Sequence, residues 1–544
     1  MSKRKPQAKS SFLQKYEFVI PLALFAVFLA ITLPGISWGA PDIWHPDEIV
    51  YVSINALYEH TEFDVSNFNH PHLPIYMMLG LGKILVALGG SAREVLIGAR
   101  VLSAVLTGLM VVLTYFITRR MGHNIYVAAL SGVLLLSVSE MPHNGHFAHN
   151  DTFAAFFSTL TLFLLVQYQT REHRGWLYAA FVAAGLAVSS KYSAASMVLL
   201  PVVLYLWTQR AELRRPSLRI VETLFIGGAL SFLGYAAGTP RALLWMAYYF
   251  KRLIPASDYW ANYGREPDSI IGAIGQYSIF AEGVGLALFL LFTAAFVWSG
   301  YQVIRALRKG SRLEDARALL LLAIIVLDLP FLAAYNYSVR FFLPLMPPFA
   351  ILSAIFVKDL WELASRSKNT RYPNLLKAGL ALVIVLSFAR SISVMLLFLN
   401  DARIPASTFI ASLPTNASLE HTEYPPSIPG GHFEREHNYP LFFRKSPDQQ
   451  LPISKKYVFN AGEAGLDDRL TDYLVVDTFT TQKFDDPYVC QAMQVECDFF
   501  KQLAAGRSDH YRLIQNFSYS LPVFLPHIQI AFVNPEIRVY ERIQ

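Results

Sequence analysis

The sequence predicts a polytopic α-helical membrane protein of about eleven transmembrane helices with a C-terminal α/β domain outside the membrane. Of the 544 residues, 54% are hydrophobic and 16% are charged, against roughly 25% charged residues in soluble domains. Apolar stretches repeatedly approach the ~20 residues that cross a bilayer. After Asn400 the composition becomes mixed polar and apolar, with turn clusters and short β-like runs. The bilayer must therefore act as part of the solvent for this chain.

Eleven apolar stretches are candidate membrane helices. They are 16–39, 94–118, 124–141, 152–169, 176–190, 192–208, 218–238, 280–304, 317–334, 341–358 and 375–399. The first is interpreted as a retained helix, because it is too long for a signal-peptide core and lacks a small-residue cleavage site. The stretch 74–90 is short and contains Lys83, so we expect it to lie along the interface. The predicted transmembrane domain covers 16–399.

The distribution of Lys and Arg predicts the orientation. With a cytoplasmic N-terminus, the inner segments carry 23 Lys and Arg residues, whereas the outer segments 40–73 and 142–151 carry none. This asymmetry follows the positive-inside rule, and it would be lost if 74–90 also crossed the membrane. We therefore expect a basic cytoplasmic N-terminus at 1–15 and a domain outside the membrane at 400–544. The expected outer loops are 40–93, 142–151 and 239–279.

The net charge of +6 could indicate a nucleic-acid partner. The basic residues instead fall in short runs between apolar stretches, which is typical of cytoplasmic loops, so we expect no nucleic acid. The two cysteines, Cys490 and Cys497, both lie in the C-terminal domain. A disulfide in an oxidising compartment and two free buried thiols are equally compatible with the sequence.

The first outer loop contains adjacent carboxylates in the segment Trp44-His45-Pro46-Asp47-Glu48. Membrane insertion does not require them, and an aspartate in this place could act as a general base or bind a metal. The alternative is that both residues favour the start of a helix running through Tyr58, since Pro and acidic residues suit a first helical turn.

The second outer loop is rich in histidine. His143, His146 and His149 follow one another at intervals of three, and Asp151 comes next. The three imidazoles are weak candidates for a metal site, because their spacing matches no recognised zinc pattern and neutral His is common at wet interfaces. Asp151 could also simply cap the following membrane helix.

Three basic residues are predicted at the outer boundary, where the positive-inside rule disfavours them: Lys191, Arg241 and Arg340. They could snorkel to lipid headgroups or form a binding site for a lipid phosphate. Only Arg100 and Asp328 are predicted deep in the membrane, and an ion pair between them is one hypothesis.

Taken in order, these motifs resemble the GT-C superfamily of membrane glycosyltransferases, in particular dolichyl-phosphate-mannose protein mannosyltransferases and aminoarabinose transferases. The resemblance spans nearly the whole chain. Its motifs are Asp47-Glu48, His149-Asn-Asp151, Ser190-Lys191-Tyr192, Arg340 to Pro347, and Asn400 to Arg403 with Pro405. His45-Pro46 and the histidine-rich loop depart from the pattern and leave the subgroup open.

The resemblance implies an inverting transfer of a sugar from a polyprenyl-phosphate donor to an acceptor hydroxyl at the outer membrane face. Asp47 and Glu48 would be the catalytic carboxylates, with Asp47 as the general base and Glu48 positioning acceptor or sugar hydroxyls or tuning the pKa of Asp47. Asp151, His45 and His149 would position the acceptor or sugar, and Lys191, Arg340 and Arg241 would hold the lipid phosphate. No cofactor is required by the mannosyltransferases, although distant oligosaccharyltransferases use a metal. The expected partners are the lipid donor, an acceptor of unknown kind (protein, lipid or glycan) and membrane lipids.

Two rival interpretations belong to other classes. A transporter or flippase of a lipid-linked or small polar substrate usually carries its binding groups near the bilayer midplane on broken helices. A receptor or assembly subunit would not explain acidic and basic groups on one membrane face. A bacterial inner membrane is preferred to the endoplasmic reticulum, because the chain shows no retention signal and resembles bacterial relatives.

Overall fold

A computed structural model describes residues 17–58, 70–214, 218–249, 251, 270–308, 317–332, 338–367, 371–438 and 471–543. The predicted basic N-terminus at 1–15 lies outside the described residues. Parts of two predicted outer loops, 59–69 and 252–269, do so as well. The chain forms two compact units. The helical unit contains residues up to Ile36 and Asp47–Met395, and the C-terminal unit combines Leu396–Gln544 with the short segment Ser37–Pro46.

The helical unit is built from helices of very different lengths. Its α-helices are Val19–Thr32, Val50–Tyr58, Leu73–Ala87, Ala92–Arg120, Ile125–Leu136, Glu140–Gly145, Asn150–Arg171, Arg174–Ser190, Leu199–Thr208, Leu218–Gly238, Arg241–Leu244, Ile270–Val284, Leu286–Arg308, Arg317–Leu332, Met346–Arg366 and Arg371–Leu399. Three 3-10 helices, Tyr192–Val198, Glu212–Arg214 and Val339–Leu345, lie among them.

Among the described residues, six helices are long and apolar enough to cross a membrane. Two of them continue past a 3-10 turn or a short break, so that the six segments are Ala92–Arg120, Asn150–Arg171, Leu218–Gly238, Leu286–Arg308, Val339–Arg366 and Arg371–Ile410. Shorter apolar helices such as Val19–Thr32 and Ile125–Leu136 accompany them. The predicted helical membrane fold is confirmed in this coarse form, whereas the count of eleven spans is not.

Small residues bring two of the helices into backbone contact. A Cβ atom on Gly185 would lie 2.0 Å from the carbonyl oxygen of Ser231, and one on Gly234 would lie 2.4 Å from that of Val182. Only glycine permits this approach of helices Arg174–Ser190 and Leu218–Gly238, in the manner of close-packed membrane helices. The contact fixes the end of the first helix, where Lys191 follows.

The C-terminal unit contains a five-stranded mixed sheet. Its strands are β1 (Ser418–His421), β2 (Arg435–Asn438), β3 (Tyr473–Asp477), β4 (Tyr511–Phe517) and β5 (Ile537–Arg542), and its helices are Arg403–Ile410, Thr478–Thr481, Pro487–Ala492 and Gln494–Ala504. A 3-10 turn spans Gln482–Asp485. β1 pairs in parallel with β2 and β3, and β5 pairs antiparallel with β3 and β4.

Side chains of β3 alternate between two apolar cores, as the period of two requires. Leu474 and Val476 pack with Phe500 on one face, and Tyr473 and Val475 pack with the helix Arg403–Ile410 on the other. Cys490 and Cys497 are joined by a disulfide, so the first of the two alternatives for these thiols holds.

A buried arginine fixes the segment Ser37–Pro46 within the C-terminal unit. Arg403 donates to both oxygens of Asp401, at 3.0 and 2.8 Å, and to the carbonyl oxygen of Phe532 at 2.7 Å. The indole of Trp38 donates to Asp401 at 2.8 Å, and the Arg403 guanidinium lies 4.3 Å from the ring centroid of Trp44. The motif Asn400 to Arg403 therefore anchors this segment.

Candidate functional site

Arg340 connects two aspartates from the first and second predicted outer loops. Its Nη2 lies 2.8 Å from Oδ2 of Asp47, and its Nε lies 3.6 Å from Oδ2 of Asp151. Arg340 comes from the 3-10 turn Val339–Leu345, and Asp151 is the second residue of the helix Asn150–Arg171. Three segments that are distant in sequence thus place opposite charges together.

Lys191 completes this charge network, which we define as Asp47, Asp151, Lys191 and Arg340. Its Nζ contacts Oδ1 of Asp151 and lies 3.8 Å from the ring centroid of Phe341. Burial lowers the pKa of Lys191, and the adjacent Asp151 carboxylate opposes that shift. The lysine therefore sits between an aromatic face and a buried carboxylate.

The two aspartates of the network differ in access to solvent. The side chain of Asp151 is 3% exposed, whereas that of Asp47 is 43% exposed. A buried carboxylate needs fixed partners, and Asp151 has Lys191 for this purpose. Asp47 is therefore the carboxylate of the network that solvent can reach.

Glu48 is fully buried, unlike its neighbour Asp47. Arg100 binds it through two hydrogen bonds, at 2.8 Å to Oε1 and 2.7 Å to Oε2. The backbone N–H of Ala148 also donates to Oε1 at 2.9 Å, and the N–H of Ile49 donates to the carbonyl oxygen of Ala148 at 3.1 Å. Glu48 therefore joins the first predicted outer loop to the second and to the helix Ala92–Arg120.

These contacts answer three of the alternatives left open by the sequence. The helix near the carboxylate pair begins at Val50 and has no acidic residue in its first turn, so Asp47 and Glu48 do not open it. The N-cap of the helix Asn150–Arg171 is His149 rather than Asp151. The hypothesis of an Arg100–Asp328 pair is wrong, because Arg100 binds Glu48 and Asp328 accepts from Tyr277 at 2.7 Å.

The three histidines of the second loop point to different neighbours. Nδ1 of His143 lies 3.0 Å from Oε2 of Glu140, and Nδ1 of His149 lies 2.6 Å from Oδ2 of Asp151. Both ring nitrogens of His146 face backbone carbonyl oxygens, at 2.7 and 2.9 Å. Within the part of the chain that the structure describes, no group of three or more His, Cys, Asp or Glu side chains could hold a metal ion. The three imidazoles do not form a ligand set.

Two other predicted site residues have neighbours outside the charge network. His45 is buried in the C-terminal unit, with its ring centroid 5.0 Å from that of Phe532. The guanidinium of Arg241 lies 4.9 Å from the ring centroid of Trp245. Burial lowers the pKa of Arg241, and Tyr248 raises it. None of these three aromatic neighbours belongs to the network.

Sequence reasoning missed two features beside the network. Burial and the positive charge of neighbouring groups lower the pKa of His70 to about 4, with His149 and Lys191 among the causes. Three tyrosine hydroxyls form a hydrogen-bonded chain that begins at Tyr192, the residue after Lys191. The hydroxyl oxygen of Tyr249 lies 3.0 Å from that of Tyr192 and 2.6 Å from that of Tyr235. In the sequence, the segment His70-Pro71-His72 and the pair Lys191-Tyr192 were the signals that could have indicated these two features.

Comparisons with known proteins identify relatives of part of the chain. Residues 86–237 match the family model described as dolichyl-phosphate-mannose-protein mannosyltransferase. Over 206 residues the chain is 29% identical to undecaprenyl phosphate-alpha-4-amino-4-deoxy-L-arabinose arabinosyl transferase 1 of Pseudomonas fluorescens Pf-5. A protein of the same name from strain Pf0-1 is 29% identical over 213 residues. The match covers 36% of this chain in both cases, and 36% and 34% of the two relatives.

Solved structures share the fold over most of the chain. ArnT from Cupriavidus metallidurans, bound to undecaprenyl phosphate, gives a TM-score of 0.50 at 14% identity and covers 98% of both chains. The Archaeoglobus fulgidus oligosaccharyltransferase in complex with Zn and sulfate gives 0.54 at 13% identity, over 92% of this chain and 79% of that one. The resemblance to the GT-C superfamily, and to its mannosyltransferases and aminoarabinose transferases, is confirmed.

Proposed function

We propose that the chain is a membrane glycosyltransferase that moves a sugar from a polyprenyl-phosphate donor to an acceptor hydroxyl. The observation that carries the proposal is the bridge formed by Arg340 between a half-exposed Asp47 and a buried Asp151. This arrangement offers a base and a phosphate-binding cation side by side. The names of the curated relatives, which are arabinosyl transferases for an undecaprenyl phosphate-linked sugar, support the class of donor.

Asp47 is the proposed general base. Its exposed carboxylate would accept the proton of the acceptor hydroxyl while that oxygen attacks the anomeric carbon of the donor. The new glycosidic bond forms as the bond from the anomeric carbon to the phosphate oxygen breaks, and the configuration inverts. The phosphate leaves as an anion, so this step needs neither a strong general acid nor a metal.

Lys191 and Arg340 would hold the donor phosphate by charge. In the structure each of these cations faces a carboxylate. A bound phosphate would take over the contact of Arg340, and the Asp47 carboxylate would then face the acceptor. Binding of the donor phosphate would thus draw Arg340 away from Asp47, and donor binding would be coupled to activation of the base.

The remaining residues receive supporting roles. Asp151 would hold Lys191 in place, and His149 would position Asp151. Glu48, which is buried against Arg100, would position the loop that carries Asp47 without touching the substrate. His45 and Arg241 have no step in this mechanism. The reaction is proposed for the outer face of a bacterial inner membrane, with a cytoplasmic N-terminus.

The test replaces Asp47 by Asn in the purified full chain. We expect the release of labelled sugar from synthetic undecaprenyl-phosphate mannose and undecaprenyl-phosphate aminoarabinose, in the presence of membrane extract as acceptor, to fall by ~10²–10⁴-fold. Thermal unfolding should be unchanged, since Asp47 is half exposed. Asp42→Asn is the matched control, because Asp42 is an exposed carboxylate nearby in the same loop.

Two outcomes would contradict the proposal. Full transfer activity in Asp47→Asn would remove the assigned base. Failure of the wild-type chain to release sugar from either donor, although it moves the intact lipid between leaflets of a vesicle, would favour a flippase.

A further inference from the structure

A turn in the C-terminal unit exposes two large apolar side chains. The N–H of Leu525 donates to the carbonyl oxygen of Pro522 at 2.9 Å, which closes a β-turn with Val523 and Phe524 at its centre. Val523 is 95% exposed and Phe524 is 85% exposed. Turn centres usually carry Gly, Asn, Asp or Ser. Two adjacent apolar residues in such a place indicate a surface that contacts something apolar.

The turn belongs to a long segment without charge. Between Arg512 and Glu536 the sequence contains no Lys, Arg, Asp or Glu, and His527 is its only other ionisable group apart from Tyr519. Solvent-exposed segments of globular domains normally carry charged residues. An uncharged segment with an apolar tip can enter the interfacial region of a bilayer without burying a charge.

The arms of the turn lie beside the end of a membrane helix. A cavity of about 460 Å³ is lined on one side by Tyr519 to Leu521 and on another by His527 to Ala531. Leu397, in the last turn of the helix Arg371–Leu399, lines the same cavity. The segment that carries the turn is therefore next to the point where the chain leaves the helix.

The length of that helix places Leu397 at a membrane boundary. Lys377 lies near the opposite end, with its Nζ 5.1 Å from the ring centroid of Trp361. Lysine and tryptophan together are typical of a membrane–water interface. From Lys377 to Leu397 the helix rises by ~30 Å, which equals the thickness of the hydrocarbon core.

We propose that the turn Pro522–Leu525 dips into the bilayer surface on the side of the C-terminal domain, with Val523 and Phe524 among the lipid headgroups and upper acyl chains. The partner is a lipid surface. This contact would anchor the sheet domain directly to the membrane, in addition to its covalent link through the helix. The inference goes beyond the proposed glycosyltransferase activity and does not rest on it.

Depth measurement in lipid nanodiscs tests the proposal on the full chain. The two native cysteines form a disulfide, so a cysteine introduced by Phe524→Cys provides a single thiol for an environment-sensitive NBD label. Gln502→Cys is the matched control, because Gln502 is an exposed polar residue on the helix Gln494–Ala504 of the same domain. Both positions are exposed, and unchanged thermal unfolding of both variants would establish that they fold.

We expect the label at 524 to be quenched by lipids carrying a doxyl group near the headgroup, and to be severalfold less accessible to aqueous iodide than the label at 502. Equal iodide quenching at 524 and 502 would overturn the proposal. So would a label at 524 that is shielded from iodide but insensitive to doxyl lipids, because a protein neighbour would then cover the turn.

Discussion

At the scale of single residues, the site is a balance of two carboxylates against two cations. Burial lowers the pKa of His149, and the adjacent Asp151 opposes that shift. Burial lowers the pKa of His70 to about 4, so His70 is neutral near pH 7. The charge network of Asp47, Asp151, Lys191 and Arg340 contains two carboxylates and two cations, so its formal charge sums to zero. A bound phosphate adds negative charge, and this favours the departure of Arg340 from Asp47.

This balance predicts different effects on lipid binding for the two partners of one ion pair. Arg340→Gln removes a charged hydrogen bond worth ~1.5–3 kcal/mol, so the Kd for undecaprenyl phosphate should rise about ten- to a hundredfold. Asp47→Asn removes a competitor for Arg340, so the Kd should stay equal or fall. Binding is measured with undecaprenyl phosphate in nanodiscs at fixed ionic strength.

Arg93→Gln controls for a general loss of positive charge, since Arg93 is half exposed and pairs with the neighbouring Glu94. Arg241→Gln in the same assay tests the remaining cation that the sequence predicted for the phosphate. Weaker binding in Asp47→Asn would show that the carboxylate supports the phosphate site instead of competing for its arginine.

At the scale of elements, one buried ion pair joins both predicted outer loops to the helix Ala92–Arg120. Glu48 and Arg100 are each 0% exposed, and Glu48 also accepts from the backbone of the second loop. Removal of one partner leaves the other charge buried, which typically costs ~3–5 kcal/mol. Replacement of both by neutral groups that still hydrogen-bond avoids that cost.

A double-mutant cycle tests this clamp. Glu48→Gln and Arg100→Gln should each lower the thermal unfolding temperature and the transfer activity together. The double variant should recover much of the stability, because no charge is left unpaired. Asp47→Asn, one residue away, should lower activity alone. If Glu48→Gln abolished activity at unchanged stability, Glu48 would act on the substrate and the positioning role would be wrong.

The same elements show how far sequence reasoning reaches. Hydropathy predicted the helix Leu218–Gly238 with its observed bounds, because a long apolar run determines both ends. The predicted span 280–304 is instead divided between two helices. Gly285 adopts φ +85° and separates the helix that ends at Val284 from the helix that begins at Leu286. The predicted span 341–358 begins as a 3-10 turn that contains Pro344. A hydropathy window cannot detect such local breaks.

The partners within the site could not be predicted in the same way. Asp47, Asp151, Lys191 and Arg340 are predicted to share one membrane face, because the distribution of Lys and Arg puts the segments that carry them on the same side. Which carboxylate meets which cation depends on packing between distant segments. Adjacent residues such as Asp47 and Glu48 point to different partners, so sequence proximity suggested a shared role that the contacts of Glu48 do not support.

At the scale of the whole molecule, the chain consists of a helical unit and a sheet unit. The proposed reaction requires that the chain has one defined orientation in the membrane. A disulfide between Cys490 and Cys497 is typical of an oxidising compartment, which favours a position of the sheet unit outside the cytoplasm. The bias of Lys and Arg favours the same orientation. These two arguments are independent, since one concerns redox chemistry and the other concerns insertion.

The orientation is tested with a membrane-impermeant maleimide on spheroplasts. Arg308→Cys lies at the exposed end of the helix Leu286–Arg308, on the predicted cytoplasmic side, and Gln502→Cys lies in the sheet unit. We expect the thiol at 502 to react in intact spheroplasts, and the thiol at 308 to react only after permeabilisation. The unmodified chain controls for background, because its only cysteines form the disulfide. Labelling of 308 in intact spheroplasts would place the basic loops outside. The charge network would then face the cytoplasm, and a reaction at the outer face would be ruled out.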